Sequence, residues 1–383
     1  MNPFDVYPQT RIAFGVDRID DLGSLAVGLG GERVLVVSDP GIVAAGHAPR
    51  GLEALQKEGL ETELFVGVHE NPTTEDVEAG LVVAACFEPD LIVGLGGGSS
   101  MDCAKGINFL FSCGGKMQDY RGIGKATRDM LPMIAVPTTA GTGSEAQSFA
   151  LISDSQTHEK MACGDRRAAF RIALLDSKLT QTQPALLTAL TGIDAVAHAL
   201  ETYVTTRRNP VSLAYSREAW RLLASNYLKV IDEPTDLQAR GGMQLGACLA
   251  GTAIENSMLG AVHALANPLT ANYGIVHGQA VAIMLPHVIR YNATVAGLWY
   301  EEILASAQPL EHCPPASAGA GGLADFVSLL IERAGLKSRL TQCDIDPTAL
   351  DELAAAAAQQ WTGTFNPRKV HVTDLQDLYR AAL

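Results

Sequence analysis

The sequence predicts two domains of different class: an α/β domain on a parallel sheet over residues 1–183, and an all-α domain over residues 184–383. Length is the first reason, because 383 residues exceed a single core of about 150. Texture is the second. Up to about Gln183, short apolar runs alternate with stretches of helical spacing; beyond it helical spacing is almost all that is left. Strands this short and this apolar, separated by helices, belong to a parallel sheet covered on both faces.

The elements follow in order. Val34–Ser38 (VLVVS) is a strand and Ile42–Glu58 a helix; Glu61–Val66 is a second strand with Glu75–Phe87 helical behind it. Leu91–Leu95 (LIVGL) runs into Gly96-Gly97-Gly98-Ser99-Ser100, which opens a helix reaching about Ser112. Leu131–Val136 is a fourth strand closed by a Gly/Thr loop, and Ile172–Leu175 a further one. The second half carries helical spacing over Pro184–Tyr203, Val211–Val230, Leu237–Glu255, Gly278–Thr294, Leu323–Ala334 and Pro347–Gln360. Glu311–Gly322 (EHCPPASAGAGG) reads as a surface loop between them.

Composition narrows the function classes. At 47% hydrophobic and 18% charged, the chain buries a large core and is not a disordered polymer. Lys and Arg number 28 against 42 Asp and Glu, a net charge of −14, and no basic cluster is longer than Arg207–Arg208. Phosphate-binding surfaces need a basic face, so nucleic acid and anionic membranes are poor partners. No stretch reaches the roughly 18 apolar residues of a bilayer span. Met1–Arg11 lacks the basic start and apolar run of a secretory signal. The seven cysteines are scattered and never in a CxxC pair, which argues against a disulfide framework or a Cys-based zinc site. The expectation is a cytoplasmic globular enzyme.

Two loops carry phosphate chemistry. Gly96, Gly97, Gly98 and Ser99 follow a strand and open a helix, so backbone N–H groups there can approach a pyrophosphate at the positive end of the helix. The order GGGSSMD is not the GxGxxG fingerprint, and a tight βα turn accounts for it equally well on its own. The second loop, Val136–Glu145 (VPTTAGTGSE), shifts that balance: Thr138 and Thr139 place hydroxyls beside flexible backbone at the end of another strand. Nucleotides bind α/β sheets at these strand ends. Asp39 follows the first strand, where a carboxylate accepts from adenosine ribose hydroxyls and repels a 2′-phosphate, favouring NAD over NADP. As a residue taken alone it serves equally well as a helix cap.

Metal chemistry is read from four residues. Asp194 and His198 are at i, i+4 in a helical stretch otherwise rich in Ala, Val and Leu, which buries the pair and demands a partner for it. His263 and His277 lie in a similarly apolar stretch (GAVHALANPLTANYGIVHG). A single such histidine is an ordinary core residue. Three with a carboxylate make a ligand set for Fe(II) or Zn(II) that leaves room for a substrate oxygen. His47, His69, His158, His287, His312 and His371 have no comparable setting and read as structural or surface residues.

With these motifs in place the chain resembles the iron-containing (group III) alcohol dehydrogenases, which share the dehydroquinate synthase-like fold, with its Rossmann-like N-terminal domain. Gly96–Lys105 (GGGSSMDCAK), Pro137–Glu145 (PTTAGTGSE), Asp194/His198 and the His263…His277 segment carry the resemblance, which runs from Phe14-Gly15 to Leu375–Leu383. It implies that Asp194, His198, His263 and His277 are metal ligands, that Gly96, Gly97, Gly98 and Ser99 form the pyrophosphate loop, and that Thr138, Thr139 and Asp39 contact NAD(H). Asp102, Lys160 and Leu179 match further cofactor positions. Many members carry a histidine four residues after the first of the pair, assigned to proton relay; here Asn267 stands in its place and Thr270 replaces a glycine. Asparagine can orient a substrate or the carboxamide, but it cannot shuttle a proton at neutral pH. Leu175-Asp176-Ser177 replaces a usual Asp-Pro, and Phe365-Asn366-Pro367-Arg368 a common Gly-Asn-Pro-Arg.

The implied activity is reversible hydride transfer between a small alcohol or aldehyde and NAD(H), with Fe(II) or Zn(II) polarising the substrate oxygen. The catalytic set is then His263, His277 and Asn267. Gln147, Phe149, Ile254 and Trp361 fall on the family's pocket-lining segments, and their apolar bulk with one amide suits a short aliphatic or modestly polar aldehyde. The family also implies a homodimer or a higher homo-oligomer. Rival readings are a zinc polyol or glycerol dehydrogenase, a dehydroquinate-synthase-like lyase that recycles NAD, and a cofactor-bound sensor that has lost catalysis.

Overall fold

A computed structural model describes residues 3–7, 10–157 and 159–383. These form two compact units: one of Tyr7–Thr139 and Gly143–Gln183, the other of Ala140–Thr142 and Pro184–Leu383 with the described N-terminal residues up to Val6.

The first unit runs β1 (Arg11–Gly15), α1 (Leu22–Gly28), β2 (Arg33–Val37), α2 (Pro40–Ala44), α3 (His47–Lys57), β3 (Glu61–Phe65), α4 (Thr74–Phe87), β4 (Leu91–Gly96) and α5 (Gly98–Cys113). It continues through β5 (Gly122–Ile123), β6 (Met133–Pro137), β7 (Phe149–Ser153), β8 (Lys160–Gly164) and β9 (Ile172–Asp176). Six strands form one sheet in the order β1-β9-β6-β4-β2-β3, with every pair parallel. The apolar runs have a physical reason. Val34 and Val36 enter one core with Leu22 of α1 and Leu55 of α3, while Leu35 and Val37 enter the other with Val77 of α4 and Ile107 of α5. Both faces are dry, so alternation is replaced by continuous hydrophobicity.

Three features of this unit differ from the sequence expectation. The helix expected over Ile42–Glu58 is two, because Gly46 takes a left-handed φ of 82° between α2 and α3. Strand β1 was not foreseen; it is an edge strand, only partly buried. Nor was the small second sheet, in which β7 and β8 form an antiparallel hairpin and β5 adds in parallel to β8.

The second unit contains α6 (Ala185–Val204), α7 (Pro210–Asp232), α8 (Leu237–Glu255), α9 (Ala261–Tyr273), α10 (His277–Ser306), α11 (Gly319–Arg333), α12 (Leu350–Ala358) and α13 (Val372–Ala381). From Thr188 onward α6 is buried on almost every side, which makes it the central helix of this unit. Asn209 caps α7 through the Val211 and Ser212 amides, and Pro210 occupies its first turn. The helix expected over Gly278–Thr294 starts at His277 and runs on to Ser306. The end of the Glu311–Gly322 segment is helical, entering a turn at Ala316–Ala318 and the first turn of α11. No described helix is long and apolar enough to cross a membrane, and all seven cysteines are free.

Candidate active site

Helix α6 carries Asp194 and His198 one turn apart; the first turn of α9 carries His263, and His277 is the first residue of α10. The fold brings all four together. Asp194 Oδ1 lies 3.4 Å from His198 Nε2, 3.3 Å from His263 Nε2 and 3.7 Å from His277 Nε2. His198 Nε2 and His263 Nε2 are 3.1 Å apart. Asp194, His198 and His263 are buried, whereas the His277 side chain is 33% exposed, so the cluster opens on its side.

Asp194 Oδ1 is buried without a hydrogen-bond partner. Ligand atoms of Asp194, His263 and His277 all lie within 4.8 Å of one another, as around a cation, and His198 Nε2 stands beside two of them, so these residues fit a metal. The electrostatics of Asp194 and His198 agree with that reading. Burial works to raise the Asp194 carboxyl, but the imidazoles of His198, His263 and His277 hold it well below the usual carboxylate range. Burial keeps the His198 imidazolium below its ordinary value, so the ring is a neutral donor. Burial would lower His263 too, but the Glu201 and Asp194 carboxylates outweigh it and push it up.

Glu201 was not singled out by the sequence. Its Oε1 accepts the Val262 N–H at 2.8 Å and its Oε2 bonds His263 Nδ1. Asn366 supports the same corner. Its Oδ1 accepts the Ala261 N–H at 3.3 Å, and it exchanges hydrogen bonds with Asn292 of α10 at 3.0 and 2.7 Å. Arg368 lies 3.8 Å over the Tyr291 ring and donates to the Tyr291 carbonyl. The Phe365–Arg368 segment therefore ties the start of α9 to the middle of α10. Only Glu201 left a readable signal, a third polar residue on the Asp194/His198 face of an apolar helix.

Asn267 sits one turn beyond His263 on α9, half-buried, with Nδ2 donating to Gln360 Oε1 at 3.0 Å. The other described histidines stay apart from the cluster: His47 bonds Thr182, His69 bonds Asp76, His312 lies beside Glu311, and His371 precedes α13. His287 is on α10 with its imidazolium lowered by burial, and His158 lies outside the described residues.

In the α/β unit the cofactor candidates gather at the carboxyl ends of three adjacent strands, β2, β4 and β6. The Thr138 N–H donates to the Gly96 carbonyl at 2.9 Å, and Ser100 Oγ donates to Asp39 Oδ2 at 3.2 Å. Gly96 has φ +153°, and a Cβ there would stand 2.3 Å from Ser100 Oγ and 3.2 Å from Asp39 Oδ2. Gly97 leads into α5 with no side-chain cap, which leaves the amides of Gly98 and Ser99 to an external acceptor. Thr138 Oγ1 is buried and unpartnered. Uncapped amides and an orphaned hydroxyl fit a dinucleotide's phosphates. Asp39 also accepts from the Ile42 N–H at 3.1 Å, so it caps α2 as well. Lys160 Nζ donates to Asn71 Oδ1 at 3.1 Å, and the Asn71 N–H donates to Ser99 Oγ at 3.3 Å, which ties Lys160 to the same loop.

Asp102 and Leu179 are placed differently. Asp102 accepts from Ser144 Oγ at 2.6 Å and faces Lys105 Nζ at 3.4 Å. Lys105 is fully buried and donates to Ser144 Oγ, the Ser144 carbonyl and the Phe149 carbonyl, at 2.7, 2.9 and 2.7 Å. This network clamps α5 to the second loop. Leu179 is buried in the core that α1 and α3 share. Among the pocket candidates, Gln147 and Phe149 lead into β7, and the Phe149 ring occupies the space a Cβ on Gly164 would need. Ile254 is buried near the end of α8, and Trp361 is edge-on to Phe365.

The model of the family described as iron-containing alcohol dehydrogenase matches residues 8–177, and that of the Fe-containing alcohol dehydrogenase family, C-terminal, matches 188–383. The chain is similar to the 1,3-propanediol dehydrogenase of Klebsiella pneumoniae, with 34% identity over 96% of each chain. It is also similar to the NAD-dependent methanol dehydrogenase of Bacillus methanolicus, with 29% identity over all of each. A solved 1,3-propanediol oxidoreductase superposes with a TM-score of 0.95 at 32% identity, covering both chains completely.

Proposed function

The chain belongs to the iron-containing alcohol dehydrogenase family, and on that premise we propose an NAD(H)-linked alcohol dehydrogenase that interconverts a small alcohol and its aldehyde. The observation that carries this reading is the convergence of Asp194, His198, His263 and His277 in one cluster open at His277. When bound, iron supplies a Lewis acid for the substrate oxygen and NAD(H) takes or gives the hydride. Three imidazoles and a carboxylate also accept zinc.

Asp194 brings the one negative charge of the ligand set, and each ring would bring the lone pair of an unprotonated nitrogen. Asn267, its amide engaged by Gln360, orients the substrate or the carboxamide. It cannot take a proton, so the alcohol proton leaves through water or a hydroxyl. In the α/β unit, Gly96, Gly97, Gly98 and Ser99 hold the pyrophosphate on backbone amides, and Thr138 and Thr139 add hydroxyls. Asp39 accepts from ribose hydroxyls and disfavours a 2′-phosphate. Lys160 completes the cofactor contacts, Leu179 supports them from the core that α1 and α3 share, and Asp102 acts through Ser144 and Lys105. Gln147 and Phe149 of the α/β unit and, separately, Ile254 and Trp361 of the helical unit are the side chains assigned to a short aliphatic or modestly polar substrate. Free cysteines and a net charge of −14 suit a cytoplasmic protein that binds neither nucleic acid nor membrane, acting as a homodimer or higher homo-oligomer.

The test is NADH formation from NAD with a panel of short alcohols and diols, using anaerobically purified protein as apoprotein and after reloading with Fe(II) or Zn(II). Metal-dependent NADH formation supports the reading. Silence across the panel, with metal and NADH both bound, overturns it in favour of a lyase or a sensor.

A further inference from the structure

We propose that Glu201 is a positioning residue of the metal centre, holding His263 in the tautomer that presents Nε2 to the cation. This rests on the reading of Asp194, His198, His263 and His277 as metal ligands. Glu201 follows His198 by three residues and Asp194 by seven, so the three share one face of α6. Its carboxylate is buried, and among the described residues its one ion-pair partner is His263.

Both oxygens are committed as acceptors. Oε1 takes the Val262 N–H at 2.8 Å, and Oε2 takes the proton on His263 Nδ1. A neutral imidazole with its proton on Nδ1 carries its lone pair on Nε2. That atom lies 3.3 Å from Asp194 Oδ1 and 3.1 Å from His198 Nε2, inside the cluster. The Val262 N–H is one of the first amides of α9, which lacks a side-chain cap of its own. One carboxylate therefore fixes both the ring and the helix end that carries it. Residue 260 has to be small for this, because a Cβ there would stand 3.0 Å from Glu201 Oε1.

The double commitment makes the amide variant diagnostic. Glutamine offers one oxygen and one NH2 group. If its oxygen keeps the Val262 N–H, its NH2 faces His263 Nδ1 and selects the tautomer with the proton on Nε2, which blocks that ligand atom. If its oxygen keeps His263, two donors meet at Val262. Either way the ligand is mispositioned, although the volume hardly changes.

The experiment is a competition titration of the full-length apoprotein with Fe(II), and in parallel Zn(II), against a chelator under anaerobic conditions. It compares the wild type with Glu201→Gln and Glu201→Ala, and NADH fluorescence reports an intact α/β unit. Both variants are expected to bind metal about 10- to 100-fold more weakly, with NADH affinity unchanged. Wild-type metal affinity in Glu201→Gln would overturn the proposal. A wild type that binds no metal would overturn the ligand reading, and this inference with it. Histidine nitrogen-15 spectra of the Zn(II)-loaded wild type give a readout independent of how the variants fold. A protonated Nδ1 on a His263 coordinated through Nε2 is expected; coordination through Nδ1 would contradict it.

Discussion

At the carboxyl ends of β2, β4 and β6 the groups proposed to hold the cofactor are backbone amides, short hydroxyls and one carboxylate, supplied by loops that follow adjacent strands. The cluster on α6, α9 and α10 is made of side chains alone, drawn from the middle of α6 and the first turns of α9 and α10. The first region is therefore sensitive to an added Cβ and to charge. The second is sensitive to which atom a side chain presents and to what holds that side chain from behind. Substitutions that separate the two kinds of sensitivity test the contrast.

The largest effect is expected from His263→Ala, which removes a proposed ligand and strands Glu201. Metal retention and turnover should be lost together, while NADH binding persists; tight metal binding with full activity would break the contrast at its stronger end. Gly96→Ala is the converse. The strained φ and the contact with Ser100 should weaken NADH binding roughly 10- to 100-fold, in line with about 1–3 kcal/mol of backbone strain, and leave metal content unchanged. Fluorescence titration beside elemental analysis checks both. Asp39→Ala should narrow the preference for NADH over NADPH by about tenfold, the equivalent of about 1.4 kcal/mol, by removing a like charge from the 2′-phosphate position. The smallest effect is expected from Asn267→His: turnover of simple alcohols is retained or raised, and a new ionisation near the ordinary imidazole value of about 6.5 enters the pH profile. A large loss would mean that Asn267 itself contacts the substrate.

Legibility in the sequence follows the same division. The proposed dinucleotide loops are legible because a backbone-built site is written in consecutive residues, glycine after an apolar strand. The sheet was legible because strands such as Val34–Val37 are buried on both faces. Strand β1 and the β7–β8 hairpin escaped although they are as long as β2, because they are buried only in part and lie outside the run of alternating strands and helices. The Asp194/His198 pair shows as i, i+4 spacing, and His263 and His277 as polar residues in apolar stretches. Their convergence is a property of the helix packing and is not written in any local spacing. Support from Asn366 and Gln360 comes from across the chain, through hydrogen bonds that leave no pattern in sequence.

The most direct test of the account is an anaerobic titration of the apoprotein with Fe(II), following bound iron and NADH consumption on a short aldehyde in the same samples. Both should rise together and saturate at one iron per chain. Turnover without iron, or full occupancy without turnover while NADH is bound, would contradict it.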